Sequence, residues 1–309
     1  SARQEGAKTM IEFPVSGIET YWWLPISVAF VISSLTSMAG VSGAFLLLPF
    51  QISILGFTGP AVSSTNLVYN IVAIPSGVYR YYHEKRMVWP IVGVIVLATL
   101  PGVFLGALIR VNYLPDPSTF KIFAGLVLLY IGIRLFVNIF NKREVVTGRD
   151  RQKDRFNVTG TYFNIKQLGY EFNNMTYGAS TPGLMVLSFT VGIIGGTYGI
   201  GGGAIIAPFL VAVFRLPVHT IAGPALLSTF VTSVAGVLFY SIIAPYYKNT
   251  GLTIAPDWML GLLFGIGGAI GMYVGARMQK FVPAVVIKSI LAVIILLVAA
   301  KYILGGFLG

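Results

Sequence analysis

Six stretches of about twenty mainly apolar residues constrain this chain more than any other feature: Ala61 to Tyr79, Val88 to Ile109, Phe120 to Phe140, Thr220 to Ile243, Trp258 to Ala276 and Pro283 to Leu304. A helix of roughly 20 apolar residues is what crosses the hydrocarbon core of a bilayer. Two further regions are too long for one span. Tyr21 to Leu55 is interrupted by Gly40-Val41-Ser42-Gly43, and Leu184 to Phe214 by Gly199-Ile200-Gly201-Gly202-Gly203. Each reads as a helix, a glycine-rich break and a second, shorter helix. With 56% apolar and 10% charged residues, where soluble domains carry about 25% charged, a soluble enzyme, a disordered chain and a disulfide-stapled secreted domain are excluded. The absence of cysteine removes thiolate chemistry, and two histidines, His83 and His219, cannot build a histidine-rich metal site. No metal and no cofactor are expected.

The two halves repeat each other. At an offset of 159, Gly40, Gly43, Pro49, Phe50, Leu67, Gly77 and Tyr81 fall on Gly199, Gly202, Pro208, Phe209, Leu226, Gly236 and Tyr240. At 169, Trp89, Gly102, Gly106 and Ala107 fall on Trp258, Gly271, Gly275 and Ala276, and at 167 Lys121 meets Lys288 and Arg134 meets Lys301. The sequence therefore predicts an all-α polytopic membrane protein of two repeats, each with about five membrane segments. An odd number makes the topology inverted, and the glycine-broken helix pairs meet near the midplane. Residues 1–20 form an N-terminal tail, 21–140 the first repeat, 141–183 a linker and 184–309 the second repeat. The tail from Ser1 to Met10 has no apolar core and reads as a mature end rather than a signal peptide. The linker opens with the charge run from Arg149 to Arg155 and continues with a short strand-like pair, Tyr162 to Ile165 and Tyr170 to Phe172, around Gly169.

Lysine and arginine outnumber acids 21 to 10, and thirteen of these cations fall in loops that such a topology places on one side: the Arg80 to Val88 loop, the linker, Arg215, and the Arg277 to Lys280 turn. Loops on the other side hold Arg3, Lys8, Arg110 and Lys248. The positive-inside rule then places the linker in the cytoplasm and both termini outside, in a cell inner (plasma) membrane. Membrane lipids are the first partners of the excess charge. A nucleic-acid binder is excluded because no solvated basic face remains once the spans face lipid.

Non-helical backbone survives at membrane depth where it is buried in protein or lines a cavity. Paired breaks in two repeats point to a central site. A helix begins at Gly43 and another at Gly203, and such ends offer unpaired N–H groups and the positive end of the helix dipole to an anion. The binding candidates are Gly40, Val41, Ser42, Gly43, Gly199, Gly201, Gly202 and Gly203. Asn66 and Asn70 join them, four apart on one helix face, as do Ser228 and Thr229 in the second half. All offer neutral donors to a small anionic substrate. The plain packing reading is that glycines let helices touch and that hydroxyls bond back to their own helix; it covers Gly102, Gly106, Gly267, Gly271 and Gly275 outright. Acids are absent from the spans apart from Asp257 at a helix mouth, which argues against cation and proton pathways. Lys121, Arg134, Lys288 and Lys301 are candidate vestibule cations, with snorkelling to the interface as their plain reading.

At Gly199-x-Gly-Gly-Gly203 followed by Pro208, with its echo from Gly40 to Pro49, and Ala222-Gly-Pro-Ala-Leu-Leu-Ser-Thr229 opening the next helix, the chain resembles the TauE/SafE sulfite exporter family. The resemblance covers both hydrophobic halves and not the linker. It implies alternating-access carriage of small sulfur-containing anions: sulfite, or organosulfonates such as sulfoacetate. The glycine motifs carry over as the site. The first break departs from the motif, with Ser42 and Ala44 where the second half has glycines. A carrier or channel for another anion is the alternative. The Gly-x-Ser-Gly pattern at Gly40 to Gly43 also matches an intramembrane serine protease, a remote reading since no histidine lies naturally at mid-membrane depth. A dinucleotide site at Gly199-x-Gly-x-x-Ala204 lacks an acid about 20 residues on.

Overall fold

The computed structural model describes residues 10–38, 41–140, 158–172, 175–278 and 281–308. Ten α-helices dominate them. The first half holds α1 (Trp23–Met38), α2 (Ala44–Ser53), α3 (Ala61–His83), α4 (Trp89–Asn112) and α5 (Pro117–Phe140); the second holds α6 (Thr181–Tyr198), α7 (Gly203–Phe214), α8 (Val218–Ile243), α9 (Trp258–Met278) and α10 (Ala284–Leu308). A 3-10 segment, Ala244–Thr250, follows α8. Among the described residues, α4, α5, α6, α8, α9 and α10 are long and apolar enough to cross a membrane.

The stretch from Ala61 to Tyr79, expected as a simple span, forms α3 but is not among those six. Its first ten residues, including Ser63, Ser64, Thr65, Asn66 and Asn70, are buried. The polar groups that lower its hydropathy are shielded by neighbouring helices, while its second half, with Tyr79 and Tyr82, is exposed.

Two small sheets close the ends. The strands β1 (Met10–Phe13) and β2 (Ile18–Tyr21) pair as an antiparallel hairpin, with Phe13 opposite Ile18. Of the expected 1–20 tail, residues 1–9 lie outside the described residues; in the rest, Pro14 to Gly17 is a turn, Gly17 sits at φ +66°, and Ser16 donates through N and Oγ to the Asp257 carboxylate at 3.1 and 2.9 Å. Asp257 in turn accepts from Leu260 N, capping α9. At the opposite end β3 (Thr159–Phe163), β4 (Gln167–Phe172) and β5 (Met175–Ser180) form an antiparallel sheet in that order. The strand pair expected in the second part of the linker is present as β3 and β4, and a third strand, β5, extends it. The third strand ends in Gly178, Ala179 and Ser180, which carry little strand signal, yet Ala179 pairs with Leu168 and Tyr177 with Tyr170. Helix α6 starts at Thr181, inside the expected 141–183 linker, where Ser180 caps it by accepting from Gly183 N and Pro182 occupies its first turn. The charge run Arg149 to Arg155 lies outside the described residues.

Hydrogen bonds between loops fix the helix directions. Val158 N donates to Lys85 O, Thr181 N to Lys166 O, and the Tyr170 hydroxyl bonds Thr220 Oγ1, so the sheet, the α3–α4 loop and the starts of α6 and α8 share one end. Burial pushes the Tyr170 phenol up to about 12, against the opposing pull of that bond. Ala61 N donates to Thr253 O, Ser64 Oγ to Ile254 O and Tyr247 Oη to Asn112 Oδ1, which gathers the α2–α3, α4–α5 and α8–α9 connections at the hairpin end. The pair α1 and α2 therefore enters and leaves at the hairpin end, and α6 and α7 at the sheet end.

Packing partners exchange with the halves. Helix α4 packs on α6 as α9 packs on α1; α3 packs on α9 as α8 packs on α4; α5 lies against α10. Small residues make these approaches close. A Cβ at Gly102 or Gly106 would strike the Phe189 or Ile193 carbonyl, and one at Gly267, Gly271 or Gly275 the Ile26, Phe30 or Ser34 carbonyl. The seams expected from spacing are thus present in both halves.

Candidate functional site

The two breaks meet, and the side chains of α3 join them. Helix α2 is capped by Gly43 and α7 by Gly202, repeat equivalents, neither with a side-chain cap. First-turn amides of such helices have no intrahelical acceptor. Asn66 Nδ2 donates to Ala44 O at 3.0 Å and to Gly199 O at 2.9 Å, so one amide bridges the first break and the second. One turn on, Asn70 Nδ2 donates to Ile200 O at 3.0 Å, and its Oδ1 accepts from Ser42 Oγ at 3.2 Å. Ser42 Oγ also accepts from Ala44 N. Tyr198 Oη donates to Phe45 O, a second stitch between the breaks.

The second break is the more contorted. Gly199 stands at φ +87° and Gly201 at φ +78°, a region costly for any residue with a Cβ. Close approach adds a second demand: a Cβ on Gly199 would lie 2.5 Å from Ser63 Cα, and one on Gly202 2.7 Å from Thr99 Cβ. Gly203 abuts the Ala225 carbonyl and the Thr229 amide. Among the described residues the first break has no positive φ; Ser42, the equivalent of Gly201, needs none. Gly40 lies outside the described residues, and Val41 donates its N–H to Thr36 O.

Donor bookkeeping separates the candidates. Ser228 and Thr229 each donate to the carbonyl four residues back, Pro224 and Ala225, the packing role weighed against binding. Thr229 still backs the break through its contacts with Gly201 and Gly203. The amides of Asn66 and Asn70 are engaged with carbonyls rather than turned to a cavity. Thr232 Oγ1 accepts from Gly202 N at 3.2 Å. Ser233 Oγ, fully buried and beside Gly201, has no partner.

The vestibule cations stand apart from the breaks, on the α5–α10 pair. Lys301 is exposed, Lys121 and Lys288 are partly exposed, and Arg134 donates to its own helix neighbour Tyr130 Oη at 3.0 Å. Two surface pockets, of about 320 and 300 Å³, are apolar. The first lies among Pro75, Tyr79, Trp89 and Phe230, the second among Val28, Val31 and Phe50, and neither includes a residue of either break. Ser42 and the second break, Gly199 to Gly203, are buried in this structure.

Comparison with known proteins decides the family. The Sulfite exporter TauE/SafE family matches residues 26–302. The chain belongs to that family. Among curated TauE/SafE-like relatives, all from Bacillus subtilis (strain 168), the probable membrane transporter protein YunE is 21% identical over 277 residues, 87% of this chain and 93% of the relative. YjnA, also a probable membrane transporter protein, is 22% identical over 277 residues, 88% and 96%. YdhB, of the same description, is 28% identical over 127 residues, 40% of this chain and 47% of its own length. No solved structure matches.

This TauE/SafE protein is a multi-pass membrane transporter and not an enzyme. The protease reading fails on geometry as well: Ser42 Oγ donates to an asparagine oxygen, and the His83 ring lies against Tyr79 near the sheet end. Sequence reasoning missed Tyr198 as a stitch between the breaks, although it immediately precedes Gly199. It also missed Arg110, counted among loop cations because it follows the apolar run ending at Ile109. The helix continues to Asn112, and Arg110 is fully buried.

Proposed function

We propose that this transporter carries small sulfur-containing anions, sulfite or organosulfonates, by alternating access between two inverted repeats. The observation that carries the reading is the bridging of both glycine breaks by Asn66 and Asn70 at the mouths of two short helices, in an interior lacking acids other than the engaged Asp257 among the described residues. The exchange of packing partners between halves supports the inverted arrangement.

In the closed form the two asparagine amides latch the second break through the Gly199 and Ile200 carbonyls. Rocking of one repeat against the other breaks these bonds and turns the freed N–H groups, with the first-turn amides of α2 and α7, toward an oxyanion. Neutral donors hold an anion without trapping it, and dipole ends supply the positive potential. The linker sheet faces the cytoplasm and the β1–β2 hairpin the outside of a plasma membrane, as the cation-rich loops at the sheet end favour. Lys121, Arg134, Lys288 and Lys301 anchor the outer helices to the lipid interface rather than bind substrate.

Flux in liposomes with a panel of sulfite, methanesulfonate, sulfoacetate, sulfate, phosphate and an organic cation tests this. Movement of the sulfur oxyanions above phosphate and the cation is expected. A preference for phosphate supports the other-anion reading, and equal movement of anions and cations overturns the anion site.

A further inference from the structure

Helix α4 ends in a buried cation with no counter-ion. Arg110 is 0% exposed, and among the described residues no carboxylate lies within ion-pair reach of it; the ion pairs there are Arg80–Glu84 and Arg86–Glu84. Its Nε donates to Ser63 Oγ at 3.3 Å, Nη2 to Gly59 O at 3.2 Å and Nη1 to Leu114 O, while its guanidinium carbon stands 3.7 Å over the Phe120 ring. A guanidinium offers five N–H donors, so these bonds do not exhaust it. Carbonyls and a ring face temper the charge but do not neutralise it. An uncompensated buried charge is costly, and intramembrane cations commonly mark an ion path.

A second buried polar group in the same part of the bundle has no partner at all among the described residues. The Tyr240 hydroxyl is fully buried without a partner, on α8, in the apolar cluster that contains Ala107 and Val111, the neighbours of Arg110 along α4. Arg110 is also tied to the transport site. Ser63, which accepts from it, donates to Tyr198 O, and the Ser63 backbone is what a Cβ on Gly199 would strike.

We propose that Arg110, Tyr240 and Ser63 form an oxyanion subsite on the hairpin side of the second glycine break, a station the substrate occupies between the break and the outer end of the bundle. The forked guanidinium takes two oxygens of a sulfite or sulfonate group, and the Tyr240 hydroxyl donates to one of them. Ser63 relays occupancy to the Tyr198–Gly199 turn. The inference rests on the anion-transport reading and adds the residues that hold the anion outside the breaks.

Titration calorimetry on the full chain in detergent, at constant ionic strength, with sulfite, methanesulfonate, sulfate and phosphate in turn, tests it. For the oxyanion that binds the unaltered chain, Arg110→Gln is expected to weaken binding on the order of 10- to 100-fold. Tyr240→Phe, which removes a hydroxyl with no present partner and leaves the fold intact, is expected to weaken it a few-fold, and Arg110→Lys is expected to fall between them because it keeps charge without the fork. Unchanged affinity in Arg110→Gln overturns the subsite while leaving anion transport standing. If Arg110→Gln does not fold, unchanged affinity in both Arg110→Lys and Tyr240→Phe overturns it. If no oxyanion binds the unaltered chain, the transport reading falls with the subsite.

Discussion

Gly199 bears two independent constraints, a left-handed backbone and contact with Ser63. A methyl group there costs about 1–2 kcal/mol for the conformation alone, and the collision adds to it. Gly199→Ala is therefore expected to lower the melting temperature measured by tryptophan fluorescence in micelles and to abolish transport. Ser228→Ala is the matched control, since its buried hydroxyl bonds to Pro224 O in its own helix; a loss of no more than about 1 kcal/mol is expected. Asn66→Leu leaves the Gly199 carbonyl without its donor and Gln51 Nε2 without its acceptor, at roughly 1–3 kcal/mol for each buried polar group left unpaired. Chemical denaturation reads that loss, and a stability equal to the unaltered chain's would remove Asn66 as the bridge between breaks.

At the scale of elements, the glycine seams and the linker sheet make separate predictions. Gly102→Val drives a side chain into the Phe189 carbonyl of α6 and Gly271→Val into the Phe30 carbonyl of α1. Overpacking of this kind costs about 1–3 kcal/mol, and equal losses of folded yield in the two variants are expected because the seams are equivalent. The sheet cap is pH-sensitive through Tyr170, whose folded-state value of about 12 lies above the ordinary phenol value of about 10. The native state then holds the proton more tightly, so the stabilisation is full below pH ~10 and is lost as pH rises toward ~12. Tyr170→Phe should be less stable than the unaltered chain at pH 8, with the gap closing above pH 10 in thermal melts. What was legible in the sequence follows the same division. The helices, both breaks and the seams could be read because apolar length and glycine spacing are local signals. In the linker the Tyr162 and Tyr170 to Phe172 strands could be read, but the third strand, Met175–Ser180, and the N-terminal hairpin could not, since strands of four to six residues with small or polar members carry weak periodicity. The inward turn of Arg110 and the bonds from Asn66 to both breaks are tertiary: a cation just past an apolar run looks like any interfacial anchor until α3 and α8 are placed beside it.

For the whole molecule, the absence of cysteine makes topology directly testable. Ile165→Cys at the sheet end and Tyr113→Cys at the hairpin end change residues that are 85% and 78% exposed. An impermeant thiol reagent added outside intact cells is expected to label Tyr113→Cys and not Ile165→Cys; the reverse pattern would invert the proposed orientation. An anion leaving a negative interior gains about 2.3 kcal/mol per charge per 100 mV, so outward movement needs no coupling ion. The most direct measurement is efflux of sulfite from liposomes with the linker sheet inside, under an imposed interior-negative potential and with no other ion gradient. Efflux is expected to rise with the potential and to be lost in Gly199→Ala. Efflux indifferent to the potential, or matched by an organic cation, would contradict it.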